Sequence, residues 1–347
     1  SLLLYLIKGV FVMRGLRLKG EGKSYYHCVS RVVDRRFILG KLEKEQFRKM
    51  MRAVERFCGV EVVTYAVMSN HFHILVGTPE TVDISDEELF ERLEAAYPPM
   101  WVKAHRQVVD EYRAEGRDDL AKDYRQRFLK RMGDVSEFMK MLKQRFSVWY
   151  NRHHDRVGTL WEERFKSVLV EDGYALTTMA AYIDLNPVRA RLVGDPKDYR
   201  WSGYGEAVGG GEKARSGLAR VINRPGVKVA ESWKAVAARY RQHVYLQGQV
   251  QTGKEKGNKG FGQEQVNVVL EKKGELSREE MLRCRVRYFA DGAVLGSREF
   301  VENIFERNRK LFGQKRQEGA RPMKGAAQWG DLMTARALRL DPITVSA

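Results

Sequence analysis

The stretch VEVVTYAVMSNHFHILVG (residues 60–77) decides the fold. Two apolar, β-branched and aromatic runs meet at Asn70 with room only for a tight turn. This predicts an antiparallel hairpin of residues 60–69 and 71–77. Just upstream, KLEKEQFRKMMRAVERFCG (residues 41–59) sets its apolar side chains at helical spacing and stops at Gly59. Before that, SYYHCVSRVV (residues 24–33) has the composition of a strand. Downstream, FKSVLVE (residues 165–171) reads as a fourth strand, with a helix from about Gly173. That helix is expected to end near Asn186, because Pro187 disfavours α geometry in the residue before it. The succession predicts an α+β chain with one antiparallel sheet and helices on one face. Residues 84–154 are charged and helical in pattern, broken by Pro98 and Pro99, and predict two or three inserted helices.

The ends read differently. Residues 1–19 form an extension whose start, SLLLYLIKGVFVM, is apolar but broken by Lys8, with neither a basic leader nor a small-residue cleavage site. Met13 is a candidate natural start. The first folded unit is expected at residues 20–205, a Gly-rich and basic linker at 206–263, and a mostly helical region at 264–347. In the last of these, Ser277 opens a capping box, residues 291–296 read as a turn, and Ser297 caps a second helix over 298–312.

Composition narrows the function. Among 347 residues, 62 Lys and Arg against 45 Asp and Glu leave a net charge of +17, which points to a polyanionic partner, nucleic acid first. The three cysteines, Cys28, Cys58 and Cys284, are too scattered for a disulfide scaffold or a cysteine-built zinc module. They fit a reducing cytoplasm. No apolar run approaches the ~20 residues of a membrane span. The GEGKS string at residues 20–24 is not a phosphate loop, since Arg17 stands where its first glycine belongs.

Two motifs can carry chemistry. On a strand, His71 and His73 project to the same face while Phe72 enters the core, and two imidazoles make half of a divalent-metal site. The competing reading is a polar strand face with two unrelated histidines. Tyr182 and Asn186 are one helical turn apart on one face. A tyrosine can be a covalent nucleophile and an Asn oxygen can ligate a hard cation. Equally, Tyr182 can be core packing and Asn186 a cap before Pro187. His27 reads as a hydrogen-bonded sheet histidine, and His153 and His154 as a solvated loop.

Four strings occur in order: YYHCVSR (25–31), VMSNHFHILV (67–76), FMKMLKQRFSVWYNRHHDRVGTLWEERFKSVLVE (138–171) and AYIDLNPVRARLV (181–193). Together they resemble the REP-associated tyrosine transposases, relatives of the single-tyrosine HUH transposases of bacterial insertion sequences. The resemblance spans about residues 20–204, and its tail extends into 285–339. It implies a ferredoxin-like sheet with the two histidines on a central strand and the nucleophile on a helix. By position it assigns His71, His73 and Asn186 to a Mg²⁺ or Mn²⁺ ion and Tyr182 to the nucleophile. The positions four residues either side of Tyr182 are Thr178 and Asn186, so the site has a single tyrosine.

The implied reaction is cleavage and rejoining of single-stranded DNA through a 5′-phosphotyrosine link, at hairpin-forming repeats. A free tyrosine has a pKa of ~10 and needs a cation to polarise the phosphate. Aromatic and basic side chains interleave at Arg145, Trp149, Tyr150, Arg152, Trp161, Arg164 and Lys166. These residues, with Arg189 and without Tyr150, are the expected DNA contacts. The basic tail around Arg307, Arg309 and Lys310 suggests an accessory DNA-binding module; a structural tail is the competing reading. The expected setting is the cytoplasm of a bacterium, at the nucleoid, with a homodimer left open. Two further readings stand beside the transposase: a domesticated DNA-binding protein with little strand transfer, and a metal-dependent nuclease without a covalent intermediate.

Overall fold

The computed structural model describes residues 18–223, 229, 232–245, 292–313, 316–323 and 330–335. Strand β1 (Ser24–Arg31) leads to helix α1 (Lys41–Cys58), whose apolar face carries Phe47, Met51 and Val54. Gly59 ends α1 with φ at 62°, a left-handed geometry that costs glycine nothing. The expected hairpin follows as β2 (Glu61–Val67) and β3 (His71–Thr78), and β4 (Lys166–Val170) is the fourth strand. These four are ordered β2-β3-β1-β4 and pair antiparallel throughout. The α+β class with a ferredoxin-like antiparallel sheet is therefore borne out, with the two histidines on an interior strand.

Alternation along β3 sends Phe72, Ile74 and Val76 into one core. There Phe72 meets Phe47 at 4.6 Å and Trp161 at 5.3 Å between ring centres. That core is closed by four inserted helices, rather than two or three: α2 (Asp86–Glu94), α3 (Pro99–Ala114), α4 (Asp118–Leu129) and α5 (Val135–His153). Pro99 opens α3 and the Asp134 carboxylate caps α5, so a proline read as a break is also a start signal.

Helices cover both faces of the sheet, which corrects the one-face expectation. On the second face lie α6 (Tyr174–Asp184), a one-turn α7 (Asn186–Arg189), α8 (Gly203–Val208), α9 (Glu212–Ile222) and α10 (Trp233–Tyr245). Leu75, Val168 and Val170 of the sheet pack there with Ala180, Leu218 and Tyr240. Helix α9 lies so close on β2 that a Cβ on Gly217 would come within 2.2 Å of the Val63 carbonyl oxygen. In the linker expected from residue 206, the described residues 206–223 and 232–245 form helices α8, α9 and α10 packed on the sheet. Gly209, Gly210 and Gly211 only turn the chain between α8 and α9. Residues 224–228, 230, 231 and 246–263 of that linker lie outside the described residues.

The tail also departs from expectation. Residues read as a turn form β5 (Val294–Gly296), which pairs parallel with β4 through Leu169–Val294 and Val170–Leu295. Strand β6 (Arg321–Pro322) and strand β7 (Met333–Ala335) extend the sheet to the order β2-β3-β1-β4-β5-β7-β6. Ser297 caps α11 (Arg298–Arg307) as expected. One sheet therefore runs across the boundaries expected at 205 and 263. A three-residue strand offers too little alternation to register as a period in the sequence. The Met13 start and the Ser277 capping box fall outside the described residues.

Candidate active site

Antiparallel register builds the site across three strands. His73 stands opposite Val29, His71 opposite Arg31, and His27 opposite Leu75 and Val168. Directly opposed residues share a face, so His27, His71 and His73 all project toward the second core, under α6. The rings of His71 and His73 lie 5.0 Å apart at 78°. His71 Nδ1 sits 2.7 Å from Asn70 Oδ1, and His73 Nδ1 sits 2.9 Å from His27 Nε2. His27 is fully buried and His73 is only 4% exposed. Burial first, then the neighbouring His71 and His27, holds the His73 imidazole well below its ordinary pKa. A neutral imidazole is the form that ligates a metal.

Helix α6 brings Tyr182 over this triad. Its ring centre is 6.0 Å from both His27 and His73, and its side chain is buried. Asn186 lies one turn on, where its Nδ2 donates to the carbonyls of Tyr182 (3.0 Å) and Ile183 (3.2 Å). Those two bonds orient the carboxamide, whose Oδ1 accepts a hydrogen bond from Arg189 Nη2. The Arg189 guanidinium also lies 4.3 Å over the Tyr182 ring. Asp184, on the same helix, is the anchor. It accepts from Thr64 Oγ1 at 3.0 Å, from the Tyr204 amide at 3.2 Å and from the Tyr240 hydroxyl, joining α6 to β2, α8 and α10. Burial pushes its carboxyl up to about 7.

The structure thus sets Tyr182 beside His73, with His71 next to His73 and Asn186 one turn beyond Tyr182. Their donor set suits a hard or borderline cation: two imidazoles and one carboxamide oxygen. The Asn186 oxygen already faces a cation, the Arg189 guanidinium, so this corner tolerates positive charge. Among the described residues no group of three or more His, Cys, Asp or Glu is placed to hold a metal.

The expected DNA contacts divide. Arg189 borders the site, and Lys166 shares the cross-strand row of Val29 and His73. Arg145, Trp149 and Arg152 lie instead on α5, across the sheet. There they line a groove of about 750 Å³ with Tyr97 and His153. Trp149 stacks on His153 at 5.1 Å and 11°, and the Arg145 guanidinium lies 4.9 Å over Tyr97. Arg164 is exposed in the segment before β4. Trp161 is a correction: it is 7% exposed, packs on Phe47 and Phe72, and donates its Nε1–H to the Lys143 carbonyl. A residue already filling a core has no face left for a base. The sequence reading missed Arg31, brought beside His71 by strand register, and the anchor Asp184.

Residues 22–97 match the model of the IS200-like transposase family. Among solved structures, the chain is similar to a REP-associated tyrosine transposase bound to a REP hairpin. The identity is 16% over 57% of this chain and 87% of that one, with a TM-score of 0.38. It is also similar to a Deinococcus radiodurans R1 protein described as a transposase, at 15% identity over 52% of this chain and 92% of that one, with a TM-score of 0.25. No curated protein matches the chain. No helix among the described residues is long and apolar enough to cross a membrane. The segment holding β1, α1 and the histidine hairpin thus matches the IS200-like transposase family, the wider group to which the resemblance read from the sequence pointed.

Proposed function

We propose that the chain is a transposase that cleaves and rejoins single-stranded DNA, with Tyr182 as nucleophile. The observation that carries this reading is the position of the Tyr182 ring, 6.0 Å from both His27 and His73 and beneath Arg189. In the first step Tyr182 Oη attacks a backbone phosphorus. A P–O bond to tyrosine forms and the P–O3′ bond breaks; the tyrosine hydroxyl gives its proton to water, and the departing 3′ oxygen takes one from water. The product is a 5′-phosphotyrosine link. Attack by another 3′-hydroxyl reverses the step, so bond energy is kept and no nucleotide cofactor is consumed. His71, His73 and the oriented Asn186 oxygen are the residues to hold Mg²⁺ or Mn²⁺, which would polarise the scissile phosphate. Arg189 is placed to bind a phosphate oxygen once it leaves Asn186. Lys166 and Arg31 add positive charge along the same face. Hairpin-forming repeats are the proposed substrate on the resemblance alone.

The test is covalent capture. Labelled single-stranded DNA carrying a hairpin is incubated with the protein and Mn²⁺, then denatured. Label should remain on the wild type and vanish in Tyr182→Phe, which keeps the ring and loses only the attacking oxygen. Cleavage by the Phe variant at the wild-type rate would make water the nucleophile and the protein a nuclease. Tight binding without any cleavage by the wild type would favour a domesticated binder.

A further inference from the structure

His27 is a fully buried imidazole that the strand-transfer chemistry above does not use. It lies diagonally across β1 and β3 from His73, its ring nearly parallel at 5.1 Å and 14°. The contact between them, His27 Nε2 to His73 Nδ1 at 2.9 Å, is a hydrogen bond that needs one proton. Two neutral arrangements satisfy it. If His27 donates, His73 carries its own proton on Nε2, and that nitrogen has no lone pair to offer. If His73 donates from Nδ1, its Nε2 is bare. A ligating histidine commonly donates its other ring N–H to a fixed acceptor, which sets both tautomer and ring angle.

We infer that His27 is a positioning residue: its Nε2 accepts the Nδ1–H of His73 and keeps His73 Nε2 unprotonated on the catalytic face. This rests on reading His73 as a metal ligand. It makes the first strand part of the active site, since the acceptor comes from β1 and the ligand from β3. It also explains a histidine in an otherwise apolar interior position, where Leu75 and Val168 flank it in the neighbouring strands.

The test has two readouts. In the metal-free wild-type protein labelled with ¹⁵N-histidine, long-range proton–nitrogen correlation should show His73 protonated at Nδ1 and bare at Nε2. The reverse pattern overturns the inference whatever the metal does. Mn²⁺ affinity is then measured by electron paramagnetic resonance titration. His27→Phe keeps a ring but removes the acceptor, and should weaken Mn²⁺ binding by about 10- to 100-fold. His27→Gln restores an acceptor at similar reach and should recover most of that loss. Wild-type affinity in His27→Phe overturns the inference alone. No Mn²⁺ binding by the wild type overturns the ligand reading of His71 and His73, and the inference with it.

Discussion

The Arg189 guanidinium lies 4.3 Å above the Tyr182 ring, so the turn after the candidate nucleophile lays a cation over it. The same guanidinium holds the Asn186 oxygen. A side chain that covers the nucleophile and takes one ligand atom competes with any cation entering there. Cation–π contact over this buried ring contributes about 2 kcal/mol, which a charge-assisted hydrogen bond to a phosphate oxygen can offset.

Arg189→Met therefore removes a positive charge from the corner while keeping the stem that packs on Tyr182. Metal-free, the variant should bind Mn²⁺ about fivefold more tightly, from relief of about 1 kcal/mol of like-charge repulsion. With DNA present, its covalent adduct should form more slowly, since the phosphate has lost a donor. Calorimetric titration with Mn²⁺ checks the first half. Unchanged affinity would mean that the guanidinium and the cation occupy separate places.

How far the sequence reveals all this depends on the range of the interaction. The hairpin, α1 and the pairing of Tyr182 with Asn186 rest on local periodicity and on Gly59 and Pro187, and each is legible residue by residue. Strand register is not local. Nothing in YYHCVSR says that His27 will face His73 rather than the opposite core, or that Arg31 will flank His71. Burial fails in a similar way. Trp161 and Trp149 sit in the same aromatic and basic run, yet one fills the core between Phe47 and Phe72 while the other lines an open groove. Composition misled most at residues 206–245, where glycines suggested a linker. There Gly217 marks the contact point of a packed helix instead.

The groove on α5 should bind DNA without serving the chemistry. Arg145 and Arg152 are seven residues apart along one helix face, with the Trp149 ring between them, a spacing suited to phosphates flanking a stacked base. Replacing both arginines with Ala should flatten the salt dependence of single-strand binding by about 1.4 in the logarithmic slope, from two lost phosphate contacts. The adduct at saturating DNA should form at the wild-type rate, because Tyr182 lies across the sheet. A slope within error of wild type would make the groove an ordinary surface feature.

Acid sensitivity should trace to Glu206 on α8. Its carboxylate takes Arg52 at 2.7 Å, the Tyr65 hydroxyl at 2.8 Å and Arg48 at 3.2 Å, tying α8 to α1 and β2. Burial alone would raise its pKa, but the hydrogen bond and charge of Arg52, helped by Tyr65 and Arg48, outweigh it and hold the group below its ordinary value. The unfolded chain therefore takes up this proton at a higher pH than the folded one. The stabilisation is complete above the ordinary Glu value and is lost as pH falls through the folded one. Glu206→Gln should lower unfolding free energy by about 1–3 kcal/mol at pH 7 and flatten the decline below about pH 4.5. Denaturant melts across pH 3 to 7 measure both. Parallel wild-type and variant curves would place the acid response elsewhere.

The tail is expected to be structural, against its reading as a separable DNA-binding module. Val294 and Leu295 are fully buried, one in each core, and they pair with Leu169 and Val170 of β4. Glu171 accepts from the Ser297 hydroxyl at 2.8 Å, so the end of β4 is also tied to the start of α11. Removing everything after Tyr245 strips these partners and bares the backbone edge of β4, an open template for pairing with other chains. The truncated protein should aggregate or melt well below the full chain. Because truncation removes cations as well, a milder change separates the two roles. Phe305 is 2% exposed, lies 5.0 Å from Phe312 and has the Arg309 and Arg316 guanidiniums 5.1 and 5.5 Å over its ring, so it offers no face of its own to a nucleic acid. Phe305→Ala should cost about 3 kcal/mol of stability through the cavity it leaves, with the salt slope of hairpin binding unchanged. A truncated chain that stays soluble, melts like the full protein and loses only hairpin affinity would restore the accessory module.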